Sequence, residues 1–213
     1  MIVGLYVGLE GPSWEGARQA LLNAFSDKAA FCAAHGISIK PDDWPCAHLP
    51  QELCADRGVM LGLAAESIVA GLGITLAIAP PYRPDWKAIV ESRFRLLNQL
   101  SQVHWTPGGV AERIRERGER DYRLDATLDL GEFTQIMIKS VLHHNHHREQ
   151  PELLNQDMIR AETAPTPLAM WNWGIDHGFG TPNEQARELV HLHLMARSSG
   201  TIQAGGLYFE GMY

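Results

Sequence analysis

The first nine residues alternate. Met1, Val3, Leu5, Val7 and Leu9 fall on one side and Ile2, Gly4, Tyr6 and Gly8 on the other, a period of two that predicts a strand with one strongly apolar face. Gly11-Pro12 ends it, and the period then lengthens: Trp14, Ala17, Leu21, Ala24 and Phe25 follow helical spacing behind Ser13 as N-cap, with His35-Gly36 as the stop. Pro41 to Pro50 reads as loop, Leu53 to Asp56 as a short strand, Met60 to Ala70 as a mostly buried helix, and Ile74 to Ala79 as a second strand closed by Pro80-Pro81. A helix follows from Trp86 to about Leu100, capped by Asp85. Beyond Thr106-Pro107-Gly108-Gly109, Arg113 to Arg123 alternates arginine with glutamate in a solvated pattern. Amphipathic helices are predicted over Leu130 to His143 and Asn183 to Met195, with a Trp-containing helical turn after Pro165-Thr166-Pro167. Thr201 to Tyr213 has strand and turn character.

Composition narrows this picture. At 213 residues the chain is long enough for one sizeable core, or one domain plus an extension. A net charge of −7 argues against a globally basic coat for nucleic acid, although a local basic strip suffices for binding. Cys32, Cys46 and Cys54 show no metal-like pairing and leave one thiol unmatched in any disulfide scheme, which points to a reducing compartment. No run approaches eighteen apolar residues and no secretory signal opens the chain, so the expectation is a soluble, cytoplasmic protein with no membrane partner.

The candidate chemistry lies in two acids. Asp56 ends the apolar run Leu53-Cys54-Ala55, where α/β folds place their reactive groups, and Gly58 turns the chain after it. Glu91 lies thirty-five residues on, in the helix whose apolar stripe is Trp86, Ile89, Val90, Phe94 and Leu97, while Lys87, Glu91, Arg95 and Asn98 share the opposite face. Two carboxylates converging from a strand end and a helix could hold hard divalent ions for phosphoryl transfer. An Asp and a Glu so spaced are, taken alone, more often ordinary surface acids. Lys87 and Arg95 could hold DNA phosphates or simply ladder with Glu91. Arg83, in the preceding loop, is a further phosphate candidate, and Arg57 a structural ion-pair partner of Asp56.

At these residues a resemblance becomes specific. Asp42-Asp43-Trp44-Pro45, Asp56-Arg57-Gly58, the run Ala79-Pro80-Pro81-Tyr82-Arg83-Pro84-Asp85-Trp86-Lys87-Ala88-Ile89-Val90-Glu91-Ser92-Arg93-Phe94, Asp121-Tyr122-Arg123-Leu124-Asp125-Ala126 and Leu168-Ala169-Met170-Trp171-Asn172-Trp173-Gly174 resemble TnsB-type transposases of the DDE class. These are related to phage Mu transposase and the retroviral integrases. The resemblance implies an α/β fold: a partial RNase H-like, integrase-type core over residues 1–104, a mainly helical extension over 105–197, and the start of a small β-barrel over 198–213. It also implies that Asp56 and Glu91 correspond to the second and third catalytic acids, close together and shared by Mg²⁺ or Mn²⁺, with Lys87, Arg95 and Arg83 on DNA. The first acid of the family lies on a strand that precedes the segment matching Met1 to Glu10, so the expectation is a fragment that is inactive alone and, when on DNA, associated with the nucleoid. Implied partners are transposon-end and target DNA, a transposition endonuclease and an AAA+ ATPase regulator. Strands missing from the sheet would leave an exposed edge, so the expectation is either that the first strand packs out of place or pairs directly with the core strand, or that a second copy of the chain covers the edge.

Two rival readings come from other classes. One is a catalytically dead DNA-binding or assembly module that keeps the Lys87 and Arg95 face without metal. The other is a divergent RNase H-like nuclease that recruits Asp27, Asp42 or Asp43 as its further carboxylate. The run His143-His144-Asn145-His146-His147 reads as a polar helix terminus or a packing element rather than a zinc site, because no third ligand accompanies the i,i+4 pair. Trp171 and Trp173 read as core packing rather than a base-stacking platform.

Overall fold

The computed structural model describes residues 1–11, 13–55, 68, 71–78, 122–195 and 200–208. Among them the chain is mixed α/β, with more helix than strand. Helix α1 (Trp14–Ala24) starts where Ser13 accepts a hydrogen bond from the Gly16 amide. It stops ten residues short of the predicted His35-Gly36 terminus, and a second helix, α2 (Lys28–Ala34), carries on to it.

The break has a local cause. The Ser26 hydroxyl donates to the Leu22 carbonyl at 2.6 Å, and Asp27 accepts from the Ala29 and Ala30 amides, so short polar side chains compete with the helical ladder and start a new one. Lys28 locks the junction. Its ammonium donates to the carbonyls of Ala24 at 3.0 Å, Ser26 at 2.6 Å and Cys46 at 2.6 Å, and lies over the Trp44 ring. Gly36, at φ +72°, then closes α2 in the left-handed conformation that glycine adopts without a Cβ clash.

Strand β1 (Glu52–Ala55) pairs in parallel with β2 (Thr75–Ile78), in the register Glu52 with Thr75 through Ala55 with Ile78. Residues 1–8 are not a strand, contrary to their alternation. Side chains take the place of a ladder. The fully buried Asn145 amide accepts from the Ile2 N–H at 2.9 Å and donates to the Ile2 carbonyl at 3.0 Å; Trp44 Nε1 donates to the same carbonyl, and Asn23 Oδ1 accepts from the Leu5 amide. At Gly4 the backbone runs so close to α1 that a Cβ would lie 2.7 Å from the Ala20 carbonyl oxygen and from Ala24 Cβ, which excludes any larger residue there without a shift.

Helix α3 (Leu130–His147) opens on a capping box, Glu132 amide to Asp129 carboxylate at 2.7 Å and Asp129 amide to Glu132 carboxylate at 3.0 Å. It runs one turn past the predicted end. The histidine-rich turn stays helical because His144 and Asn145 are buried and His146 Nε2 meets the Asp43 carbonyl. After a short helix α4 (Gln156–Arg160), helix α5 (Pro167–Asp176) begins at Thr166, with Pro167 in the first turn where a missing N–H costs nothing. It ends in a Schellman arrangement: Phe179 N–H to Gly174 C=O, Gly178 N–H to Ile175 C=O, Gly178 at φ +73°, and Phe179 stacked on Trp173. Helix α6 (Arg187–Leu194) starts four residues later than predicted; Asn183, before it, gives its carbonyl to the Leu49 amide instead. Strands β3 (Thr201–Gln203) and β4 (Gly206–Tyr208) form an antiparallel hairpin.

Two apolar clusters hold these elements together. In one, Leu22, Phe25 and Leu49 join Ile68, Leu72 and Ile74 and the inner face of α6, Val190 and Leu194, so α1 and α6 pack beside the β1–β2 pair. In the other, Trp44, Cys32 and Cys46 meet Met137, Ile138 and Val141 of α3, with Ile2, Leu5 and Val7 laid against them. The second cluster takes up part of the N-terminal segment: Met1, Ile2, Leu5 and Val7 pack against it, drawn from both sides of the alternation, while Val3 and Leu9 are exposed.

Candidate functional site

Asp56, Glu91, Lys87, Arg95 and Arg83 lie outside the described residues, as do the predicted helix from Trp86, the arginine-glutamate alternation of 113–121 and most of the 60–70 helix. The described strands fix where the chain leaves for them. Ala55, the last residue of β1, is followed in sequence by Asp56; Ile78, the last of β2, by the run that leads to Glu91. The two are register partners in a parallel pair. Both acid-bearing segments therefore leave the same end of the same sheet, from strands about 4.8 Å apart, the ordinary spacing of paired strands. That end carries the C-termini of parallel strands, where α/β sheets gather their functional side chains. An antiparallel pair would have sent the two segments to opposite ends.

Two of the three carboxylates offered as substitutes have other work. Asp27 spends both oxygens on the α2 amides, and Asp43 accepts from the Lys40 amide at 2.7 Å. Asp42 is exposed, in the turn Pro41–Asp43. Among the described residues, no group of three or more histidine, cysteine, aspartate or glutamate side chains is placed to hold a metal ion. His143 and His147 stand ring to ring at 5.1 Å on the exposed face of α3, a pair without a third ligand among the described residues, while the rest of the run packs. Trp173 is buried, as expected; Trp171 is half-buried and stacked on His48, with ring centroids 6.1 Å apart and planes at 12°. The described cysteines are free thiols, Cys32 and Cys46 buried and Cys54 exposed. Among the described residues, no helix is long and apolar enough to cross a membrane.

Sequence reasoning missed Lys28 and Asn145. Each is a polar residue inside an apolar pattern, and that mismatch was the signal available. Burial holds the Lys28 ammonium down to about 8, well below the usual lysine range, and burial raises the Cys32 and Cys46 thiols.

A family model described as the TnsB C-terminal domain matches residues 1–108. The chain is also similar to the transposon Tn7 transposition protein TnsB of Escherichia coli, at 39% identity over 214 aligned positions. That alignment covers all of this chain and 30% of the relative, so the chain spans under a third of the length of the protein it matches.

Proposed function

The chain belongs to the TnsB C-terminal domain family, and from that premise we propose that it carries part of the catalytic core of a DDE-type transposase, which cuts transposon ends and joins them to target DNA. The observation that carries this reading is the parallel register of β1 and β2, which sends the Asp56 and Glu91 segments out from one sheet end. In this reading residues 1–104 belong to an RNase H-like core, 105–197 to a helical extension and 198–213 to the first strands of a small barrel. The β3–β4 hairpin is consistent with the last of these.

Asp56 and Glu91 hold the divalent metal. The donor set fits a hard ion, since carboxylate oxygens are what Mg²⁺ and Mn²⁺ select. When bound, such ions neutralise charge that develops on the attacking and leaving oxygens of a phosphodiester. The protein's own part is to bring the two carboxylates together from a strand end and a helix, and to grip the flanking phosphates with Lys87, Arg95 and Arg83. Its partners are transposon-end and target DNA, with an endonuclease and an AAA+ ATPase as associates of the larger assembly.

Paramagnetic broadening by Mn²⁺ tests the site without relying on catalysis. In an amide spectrum of the isotopically labelled chain, resonances around Asp56 and around Glu91 are expected to broaden together, and Glu91→Gln should release both sets. Broadening at one acid alone, or broadening that survives Glu91→Gln at both, would show that the two carboxylates do not share an ion.

A further inference from the structure

Two cavities meet on the side of the molecule formed by α5 and the loop before β1. The larger, about 560 Å³, is walled by Leu49, Leu53, Met170 and Phe25, with Val3 and Phe179 at its mouth. The smaller, about 310 Å³, is lined by Asp42, Asp176, Asn172 and Pro45. His48, Trp171 and Ile175 line both, so the stacked His48–Trp171 pair is the saddle between an apolar chamber and an acidic one.

We propose that this two-chamber groove is a docking site for a protein segment in which an arginine or lysine stands beside a bulky apolar residue. Charge selects the occupant. Asp42 and Asp176 line the small chamber, Glu52 lies on the wall of the large one, and Glu184 approaches His48 at 3.8 Å, while no lysine or arginine is among the described residues that line either chamber. Such a surface repels phosphate, so the groove is not a second DNA face. A guanidinium entering the small chamber meets two carboxylates and the flat indole of Trp171, a combination that suits arginine's planar donors and its stacking on aromatic faces.

Apolar exposure supplies the second half of the argument. Phe179 is 73% exposed and Val3 36% exposed where they line the large chamber, although Phe179 is stacked on Trp173. A chamber of this size takes a leucine or phenylalanine side chain with room for its backbone. An apolar anchor in a pocket with a charged neighbour at its rim is the usual composition of a small protein–protein contact. The inference does not depend on the metal site, because the groove is built from residues at the opposite end of β1 from Asp56.

The test uses the whole 213-residue chain, labelled with ¹⁵N, and two blocked hexapeptides, Gly-Ser-Arg-Leu-Phe-Gly and its twin Gly-Ser-Glu-Leu-Phe-Gly. The indole N–H resonance of Trp171, identified by its loss in Trp171→Phe, is followed during titration. The arginine peptide should shift it saturably and bind roughly tenfold more tightly than the glutamate twin, the scale of two partly exposed ion pairs. Asp42→Asn combined with Asp176→Asn should erase most of that difference; both side chains belong to exposed residues, and an unchanged thermal unfolding midpoint will confirm that the fold is intact. Equal affinity for the two peptides, saturation by neither, a shift of the same resonance by duplex DNA, or a shift on concentrating the chain alone would each overturn the proposal.

Discussion

Lys28 shows what a single buried charge does to a fold. Its three protons are all donated to carbonyls, so the ammonium is satisfied in hydrogen bonds, yet it remains a cation removed from water, and burial lowers its folded pKa to about 8 from an ordinary value of 10.5. The folded chain therefore sheds this proton at lower pH than the unfolded chain does. Between those two values the unfolded state binds more protons, and the Lys28 contribution to stability rises with pH. Cys32 and Cys46, whose thiols burial raises, act in the opposite sense over the same range, so the wild-type curve alone does not isolate the lysine. The difference between wild type and Lys28→Met does. Denaturant unfolding of both, measured from pH 7.5 to 10.5 (the window set by the Lys28 shift), should show wild type gaining on the variant by on the order of 2–3 kcal/mol as pH rises. A flat difference would mean that the ammonium is hydrated in the folded state.

Asn145 does for an element what a neighbouring strand does in a sheet. Its side-chain amide presents one acceptor and one donor, the same pair that a strand residue offers its partner, and it spends both on Ile2. Asn145→Leu keeps the volume but leaves the Ile2 N–H without this acceptor beside an apolar cluster. The expected cost is about 2–4 kcal/mol in unfolding experiments. A structural role confined to α3 would stop there; a clasp also predicts faster hydrogen exchange at the Ile2 and Leu5 amides under native conditions, with α3 amides unchanged. Exchange that rises uniformly across the chain would assign the cost to global stability instead.

The same element marks where the sequence was legible and where it was not. Ser13 with its apolar helical stripe, the Leu53 and Ile74 runs, the start of α3 and Pro167 as a helix start all rest on local chemistry, and each was found where its pattern lay. The Met1 to Leu9 alternation predicted a strand with one apolar face; residues 1–8 form no strand, and Val3 and Leu9 of that face are exposed while Ile2 from the other side packs inward, because period two does not report the hydrogen-bond partner. That partner stands 143 residues away in sequence. The long helix expected from Ser13 to His35 failed for a local reason, the Ser26-Asp27 pair, whose preference for capping over continuation outweighed the apolar stripe. Of the candidate site, the two acids could be proposed from sequence, but that the segments bearing them leave one sheet end depends on the parallel register of β1 and β2, a nonlocal pairing. The His48–Trp171 groove had no sequence signature at all, since its walls come from α1, β1, α5 and the loops around them, brought together by the fold.

At the scale of the whole molecule the question is how a chain of net charge −7 would hold DNA in the proposed function. A net negative charge disfavours the duplex, so in the proposed function attraction must come from a few local cations, for which Lys87, Arg95 and Arg83 are the candidates. Each phosphate neutralised releases condensed counterions, giving log K a slope of about −0.9 per contact against log salt. Three such contacts predict a slope of roughly −2 to −3 for transposon-end duplex, shallow for a DNA-binding protein. Lys87→Ala and Arg95→Ala should each reduce the slope by about one and weaken specific and nonspecific duplex alike, because phosphate contacts position without reading sequence. Glu91→Gln should do the reverse at low salt: removing a negative charge four residues from both cations should tighten DNA while it abolishes shared Mn²⁺ binding. Fluorescence anisotropy across a salt series separates these outcomes. A slope near zero, or one that Lys87→Ala and Arg95→Ala leave unchanged, would move the DNA contact away from this segment and return Lys87 and Arg95 to charge pairing with Glu91.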